Sequence, residues 1–168
     1  MQALAADGRW HMCGFREDRI DASVVMTSHA DVLLSAGYRY LLGAETRSAA
    51  RLGSVGLHPG MLPKYRGSWP LWWALRARER EVGLTLYELG SRIDDGPIIQ
   101  QIAIAVDEHD SFGTLYDRVV GQVPILLRSL CDAIVTSGAV PPGRTQDEAE
   151  ASTFRTPTLR ERLEMKIR

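Results

Sequence analysis

Apolar runs closed by turn residues divide the first part of the chain into a strand, a helix and a second strand. The almost continuous apolar run from Ala30 to Gly37 is typical of a strand buried on both faces of a parallel sheet. Residues 42–52 then predict a short helix, and residues 53–59 a second buried strand that must end at its proline. This order predicts a βαβ unit, whose ligands normally lie at the C-terminal ends of the strands.

The second part of the chain alternates helical and strand patterns. Ser68 is expected to cap a helix that runs to Arg80, and residues 82–89 and 97–106 have the apolar alternation of two strands. A long helix is expected to begin at Asp110 or Ser111 and to bend at Pro124.

The last thirty residues predict a linker and a final helix. The stretch from Gly138 to Gly143 and the polar run after it have linker composition. Thr158 and Glu161 then form a capping-box pattern, which predicts an amphipathic helix. Its outer face is expected to be basic and solvated, with the residues Arg160, Arg162, Lys166 and Arg168.

Together these elements predict an α/β fold with a doubly wound, mostly parallel sheet. Residues 1–138 are expected to form the α/β domain, and residues 139–168 the linker and the C-terminal helix. Residues 1–30 fit this plan poorly, because such a sheet normally has more than one strand before its central βαβ unit. Part of the N-terminal βα units is therefore expected to be missing.

Composition limits the class of protein. The chain has 168 residues, 45% of them hydrophobic, which is enough for one domain with a real core. Its net charge of -1 gives no general attraction to nucleic acid or to anionic membranes, and neither a signal peptide nor a bilayer-spanning stretch is expected. Cys13 and Cys131 lack metal-ligand spacing, which favours a reducing, cytoplasmic compartment and predicts no metal site.

Two positions could carry chemistry. His58 stands at the C-terminal end of a predicted strand, and its pKa range suits proton transfer. Asp94 and Asp95 precede Gly96 between two strands, where Asp-Gly is first of all a turn signal. On the residues alone, a structural role for His58 stands beside a catalytic one. Dinucleotide-binding, phosphate-loop, nucleophile-elbow and zinc patterns do not occur in the sequence.

Two motifs connect these positions to a known family. Residues 53–67 read Gly-Ser-Val-Gly-Leu-His-Pro-Gly-Met-Leu-Pro-Lys-Tyr-Arg-Gly, and residues 93–96 read Ile-Asp-Asp-Gly. The first closely resembles the signature of the formyltransferase family, Asn-x-His-Pro-Ser-x-Leu-Pro, and the second resembles that family's later aspartate motif. The resemblance covers roughly residues 31–120 and implies the Rossmann-like fold of these enzymes.

The resemblance also implies a reaction, the transfer of the formyl group of 10-formyltetrahydrofolate to an amine. His58 would donate to the developing oxyanion, and Asp94 would keep the imidazole charged and help to relay the proton. The family asparagine falls on Gly56, which has no side-chain donor, and losing such a donor costs on the order of 10² to 10³ in rate. Impaired catalysis is therefore expected, and Gly56→Asn is expected to raise turnover by about 10².

The resemblance further implies a folate pocket, formed by two short segments of the chain. These are Tyr38, Arg39, Tyr40, Leu41 and Leu42, followed by Ile93, Asp94 and Asp95. The expected acceptor is a small-molecule amine rather than a nucleic acid.

Alternatives stay open. The chain could be a degenerate or truncated family member that binds folate or a partner chain, or an enzyme that hydrolyses formyltetrahydrofolate. An uncovered sheet edge would invite pairing, which makes a homo-oligomer an outcome to test.

Overall fold

The computed structural model describes residues 20–166, which form six helices and six strands. Expectations on residues 1–19, with His11 and Cys13, and on Arg168 lie outside the described residues. The helices are α1 (Ala22–Thr27), α2 (Ala44–Arg47), α3 (Pro70–Arg76), α4 (Phe112–Gly121), α5 (Val123–Ser137) and α6 (Leu159–Lys166). The strands are β1 (Leu33–Ala36), β2 (Ser54–His58), β3 (Arg66–Gly67), β4 (Glu81–Glu88), β5 (Ile98–Ala105) and β6 (Thr153–Phe154).

The main sheet has four strands in the order β1-β2-β4-β5. β1 and β2 are parallel, whereas β2 with β4 and β4 with β5 are antiparallel. The predicted α/β class is confirmed, but the described sheet is mixed rather than mostly parallel. Residues 89–97, which join β4 to β5, are too few for a crossover helix, so these neighbours pair antiparallel.

One face of this sheet is apolar and carries the core. Val55 on β2 and Val82, Leu84 and Leu86 on β4 are buried against the two long helices. The buried helical side chains of this cluster are Leu115, Val119, Leu126, Leu127, Leu130 and Ile134. Alternation along β2 and β4 then directs Gly56, His58, Thr85 and Tyr87 to the opposite face.

The loop that follows β2 covers this opposite face. Thr85 donates from its hydroxyl to the Gly60 carbonyl at 2.6 Å, and the Gln101 carboxamide donates to the Leu62 carbonyl at 3.0 Å. A Cβ at Gly83 would lie 2.8 Å from Met61 Cα, so only glycine permits this close approach of loop and strand. The polar face therefore lies beneath a covering loop.

Three predicted elements differ in extent from the observed ones. α2 occupies only residues 44–47 of the predicted 42–52. In β1 only Leu33 is buried, because β1 is the outermost strand of the sheet in the described part of the chain. α3 begins at Pro70 rather than after a Ser68 cap. Proline at the first helical position has its φ already set for a helix, and Trp69 takes the cap position with a left-handed φ of 58°.

The predicted long helix is broken in two at Gln122. Ser111 caps α4 in a capping box with Thr114, and Pro124 lies in the first turn of α5. Together they span Phe112–Ser137, 26 residues that are long and apolar enough to cross a bilayer, contrary to the sequence expectation. That criterion concerns length and composition alone, and the buried stripe facing the sheet is also what a core helix shows.

Residues 139–154, predicted as a linker, form backbone hydrogen bonds with β3 and with β5. Ile98 and Arg144 exchange two backbone hydrogen bonds, and β6 pairs with β3. Thr158 and Glu161 form the predicted capping box of α6. The amphipathic character expected of α6 is wrong, because Leu159 and Leu163 are more than half exposed.

Candidate active site

His58 ends β2 at the proline and is 6% exposed on the polar face of the sheet. Its Nδ1 atom lies 3.4 Å from Oδ2 of Asp94, and its Nε2 atom donates to the Tyr65 carbonyl at 2.8 Å. The structure therefore brings together the two residues that the motifs singled out. They converge beneath the loop that follows β2.

Asp94 is held by donors on both carboxylate oxygens. Oδ1 accepts from the Tyr87 hydroxyl at 2.6 Å, and Oδ2 accepts from the Gly67 backbone N–H at 2.7 Å. Its φ of 50° lies in the left-handed region, a conformation that persists in non-glycine residues only where the surroundings hold it. Here the Gln146 carboxamide donates to the Asp94 carbonyl at 2.9 Å and to the Gly96 carbonyl at 2.7 Å.

Asp95 points elsewhere. Its Oδ2 atom accepts from the Arg92 guanidinium at 2.9 Å, and its Oδ1 atom from the Arg92 backbone N–H. Neighbouring Ile93 is 55% exposed. Of this predicted group, only the Asp94 side chain is placed against His58.

Opposing influences act on the pKa of His58. Burial lowers the pKa of the imidazole below its ordinary value, while the Asp94 charge and the hydrogen bond to the Tyr65 carbonyl act in the opposite direction and only partly offset it. Both ring nitrogens thus face an acceptor, the Asp94 carboxylate at Nδ1 and the Tyr65 carbonyl at Nε2, while burial disfavours the charged ring. The expectation that Asp94 keeps the imidazole charged stays a prediction: Asp94 acts in that direction, and burial acts against it.

The lowered pKa of His58 makes stability depend on pH. Its unfolded value is about 6.5, so the folded state binds fewer protons. This contribution to stability is complete above that value and is lost as the pH falls through 6.5 towards the folded pKa. Urea unfolding from pH 8 to pH 5 should therefore show a smaller stability loss for His58→Asn than for the parent. His109→Asn, at a highly exposed histidine, is the control and should follow the parent; equal slopes for all three would contradict the prediction.

Gly56 does not leave an open space. It pairs with Tyr87 on β4, and a Cβ at position 56 would lie 2.5 Å from the Tyr87 hydroxyl oxygen and closer still to ring atoms Cε1 and Cζ. The tyrosine ring thus fills the volume that a larger side chain at position 56 would need. Burial, together with the Asp94 charge, raises the pKa of Tyr87, so its hydroxyl stays protonated and acts as a donor.

The first predicted folate segment follows β1, the parallel neighbour of β2. Tyr38 and Tyr40 pack edge to face with ring centroids 5.7 Å apart, and the Tyr38 hydroxyl accepts from the Ile20 N–H. Leu42 is buried in a small apolar cluster, whereas Arg39, Tyr40 and Leu41 are exposed. Because β1 and β2 are parallel neighbours, their C-terminal ends lie at the same end of the sheet. This segment and His58 are therefore found at that end.

Sequence reasoning missed the network that supports the pair. Arg66 is almost fully buried, and its guanidinium donates to the Gln146 carboxamide oxygen at 3.0 and 2.8 Å and to the Glu148 carboxylate at 3.2 and 3.0 Å. These partners lie about 80 residues apart, so no local pattern could reveal them. An arginine inside the first motif was the one available signal.

Replacing Gln146 by alanine should destabilise the fold by about 1–3 kcal/mol, because two carbonyls and part of a buried guanidinium lose their partner. Urea unfolding would measure the loss. Gln100→Ala, at a half-buried glutamine on β5, is the control and should change stability by less than about 0.5 kcal/mol. A Gln146→Ala protein as stable as this control would show that the network contributes little.

Comparisons with known proteins place the chain. The sequence profile of the formyl transferase family matches residues 5–129, which includes part of the first thirty residues that fitted the predicted fold poorly. The methionyl-tRNA formyltransferase of Staphylococcus epidermidis is 31% identical over 147 residues, 86% of this chain and 46% of the relative. The chain thus spans a little under half the length of that relative.

Solved structures agree on the fold. The formyltransferase PseJ of Anoxybacillus kamchatkensis, solved with UDP-4,6-dideoxy-4-formamido-L-AltNAc and tetrahydrofolate, has a TM-score of 0.73 at 22% identity and matches 90% of this chain and 77% of its own. Phosphoribosylglycinamide formyltransferase of Bacillus halodurans has a TM-score of 0.63 at 26% identity, covering 69% of this chain and 60% of its own. The Rossmann-like α/β fold is therefore shared, and this chain belongs to the formyl transferase family.

Proposed function

We propose that this chain transfers the formyl group of 10-formyltetrahydrofolate to the amino group of a small molecule. The observation that carries the proposal is the His58–Asp94 pair, 3.4 Å apart on the polar face of the sheet. A folate donor is supported by PseJ, which was solved with tetrahydrofolate and a formamido sugar nucleotide. The small-molecule acceptor is supported by the same relative, and Met-tRNA is the competing acceptor because the sequence relatives include methionyl-tRNA formyltransferases.

The chemistry requires one bond to form and one to break. The amine nitrogen attacks the formyl carbon, and the carbonyl oxygen becomes an oxyanion. The Nε2–H of His58, which donates to the Tyr65 carbonyl in the resting structure, can turn to donate to that oxygen. The amine then loses a proton, the bond from carbon to N10 of the folate breaks, and N10 takes up a proton. Asp94 beside the ring stabilises the imidazolium if the relay passes through His58.

The direct test mixes the purified chain with 10-formyltetrahydrofolate and each of three amines: an amino-sugar nucleotide, glycinamide ribonucleotide and Met-tRNA. Release of tetrahydrofolate and formation of the formamide are followed together. Formamide formation on a small amine, absent in His58→Asn, supports the proposal. Activity with Met-tRNA alone would overturn the proposed acceptor class, and release of formate without any amine would instead indicate hydrolysis.

A second candidate is binding of folate or a partner chain without efficient catalysis. The closure of the site favours it, since His58 is almost fully buried and the Tyr87 ring occupies the volume next to Gly56. Calorimetry with a folate analogue separates the two candidates. Tight binding with no product from any amine would support the binding function, whereas product formation would exclude it as the main role.

A further inference from the structure

We propose that Tyr87 is a third member of this site, a positioning residue whose hydroxyl holds the Asp94 carboxylate towards His58. Its contribution to turnover rests on the proposed formyl transfer, whereas its effect on His58 does not. Neither of the two sequence motifs includes Tyr87, which lies between them on β4.

The first step of the argument is the pairing of Tyr87 with Gly56. The two residues are opposite each other in the antiparallel ladder, and the ring fills the volume where a side chain at position 56 would stand. The glycine is therefore a condition for the tyrosine to lie here. On this face of the sheet, β2 contributes no side chain at Gly56, and β4 contributes the hydroxyl of Tyr87 as a hydrogen-bond donor.

The second step is how the carboxylate is held. Tyr87 donates to Oδ1 at 2.6 Å and the Gly67 N–H donates to Oδ2 at 2.7 Å, so each oxygen has one donor. Two donors on different oxygens fix the plane of the carboxylate, and in that plane Oδ2 faces His58 Nδ1. A carboxylate held only through Oδ2 could rotate away from the imidazole.

The third step is that the hydroxyl is itself fixed. The Tyr87 ring is buried with Leu62 and Ile98, and Leu89 packs against this cluster. A donor whose ring is immobilised needs no reorganisation when charge develops nearby, which is the condition for effective electrostatic support. The positive end of its O–H dipole points to the Asp94 carboxylate.

The test is Tyr87→Phe, which keeps the ring and removes only the hydroxyl. We expect kcat to fall by roughly 10- to 100-fold, because the reacting groups lose their alignment, with KM unchanged. In the same variant the pKa of His58, followed by NMR of its imidazole, should fall further, because a carboxylate that is free to rotate away no longer raises it. Tyr116→Phe, at a half-exposed tyrosine of α4, is the control and should change neither quantity.

The outcomes separate this proposal from the proposed function. If the parent transfers no formyl group but Tyr87→Phe still shifts the His58 pKa, the function fails and the positioning role stands. Unchanged turnover and an unchanged His58 pKa in a folded Tyr87→Phe protein would overturn the positioning role. The parent offers an independent measurement, because a Tyr87 hydroxyl proton bound to Asp94 should exchange slowly, and a rapidly exchanging proton would contradict the proposal even if the variant did not fold.

Discussion

Asp94→Asn is expected to lower kcat for formyl transfer by about 10² to 10⁴, the range of a positioned acid–base group. Asparagine is isosteric, but it carries no charge beside His58, and its NH2 group must face one of the two donors that now bind the carboxylate. The imidazolium that forms during proton relay then lacks its counter-charge. Steady-state kinetics with the amine that gives turnover would measure the loss.

Asp95→Asn is a closely matched control, since the two aspartates are adjacent in the second motif. Asp95 bonds to Arg92 rather than to His58, so we expect its replacement to leave kcat within about threefold, a loss of well under 1 kcal/mol in the barrier. The opposite result, with Asp95→Asn inactive and Asp94→Asn active, would show that the loop rearranges before catalysis and that the observed pair is not the reacting one.

The difference between these aspartates shows what the sequence could and could not predict. The strand pattern was enough to place His58 at the end of β2, and the resemblance to the family's aspartate motif favoured Asp94, because these features are local to short segments. The side-chain directions of Asp94 and Asp95 depend on a left-handed residue in a nine-residue connection. That conformation is held by a hydrogen bond from Gln146. Gln146 belongs to a segment that was predicted from its composition to be a linker.

The positions of the main strands and helices could be predicted from the sequence, but not all of their contacts. β2, β4 and β5 begin and end within one residue of their predicted ranges, and the break near Pro124 follows from the ring of proline. Strand direction does not follow from composition, because a buried apolar run has the same composition in a parallel and in an antiparallel pair; for β4 and β5 it follows from the short connection between them. The polar composition of residues 139–152 gave no sign that Gln146 and Glu148 bind a buried Arg66, since that guanidinium becomes their partner only when the chain is folded.

The role of Gly56 could be seen only from the register of two strands. In the sequence it is a position that lacks a donor, and restoring asparagine should then restore rate. In the structure Tyr87 lies opposite and occupies the required volume. The two residues therefore have to be changed together, and the expected effect of the single substitution reverses its sign.

Gly56→Asn alone is expected to destabilise the fold by about 1–3 kcal/mol or more, because a buried position next to a fixed ring must accept a larger side chain. Formyl transfer should fall rather than rise, since the Tyr87 hydroxyl is pushed off Asp94. Urea unfolding and turnover would measure both effects. Gly121→Asn is the control, because a Cβ there meets nothing within 4 Å, and its stability should stay within about 1 kcal/mol of the parent.

The double variant Gly56→Asn with Tyr87→Ala tests the cause of that loss. Alanine removes the ring from the volume, so the asparagine can enter, and stability should exceed the value obtained by adding the two single losses. A favourable coupling of about 0.5–3 kcal/mol is expected for side chains in direct contact. Additive losses in the double variant would mean that the two residues do not share one volume. A single Gly56→Asn protein with the stability of the parent would show that Tyr87 moves aside at little cost, and the asparagine donor could then serve catalysis beside it.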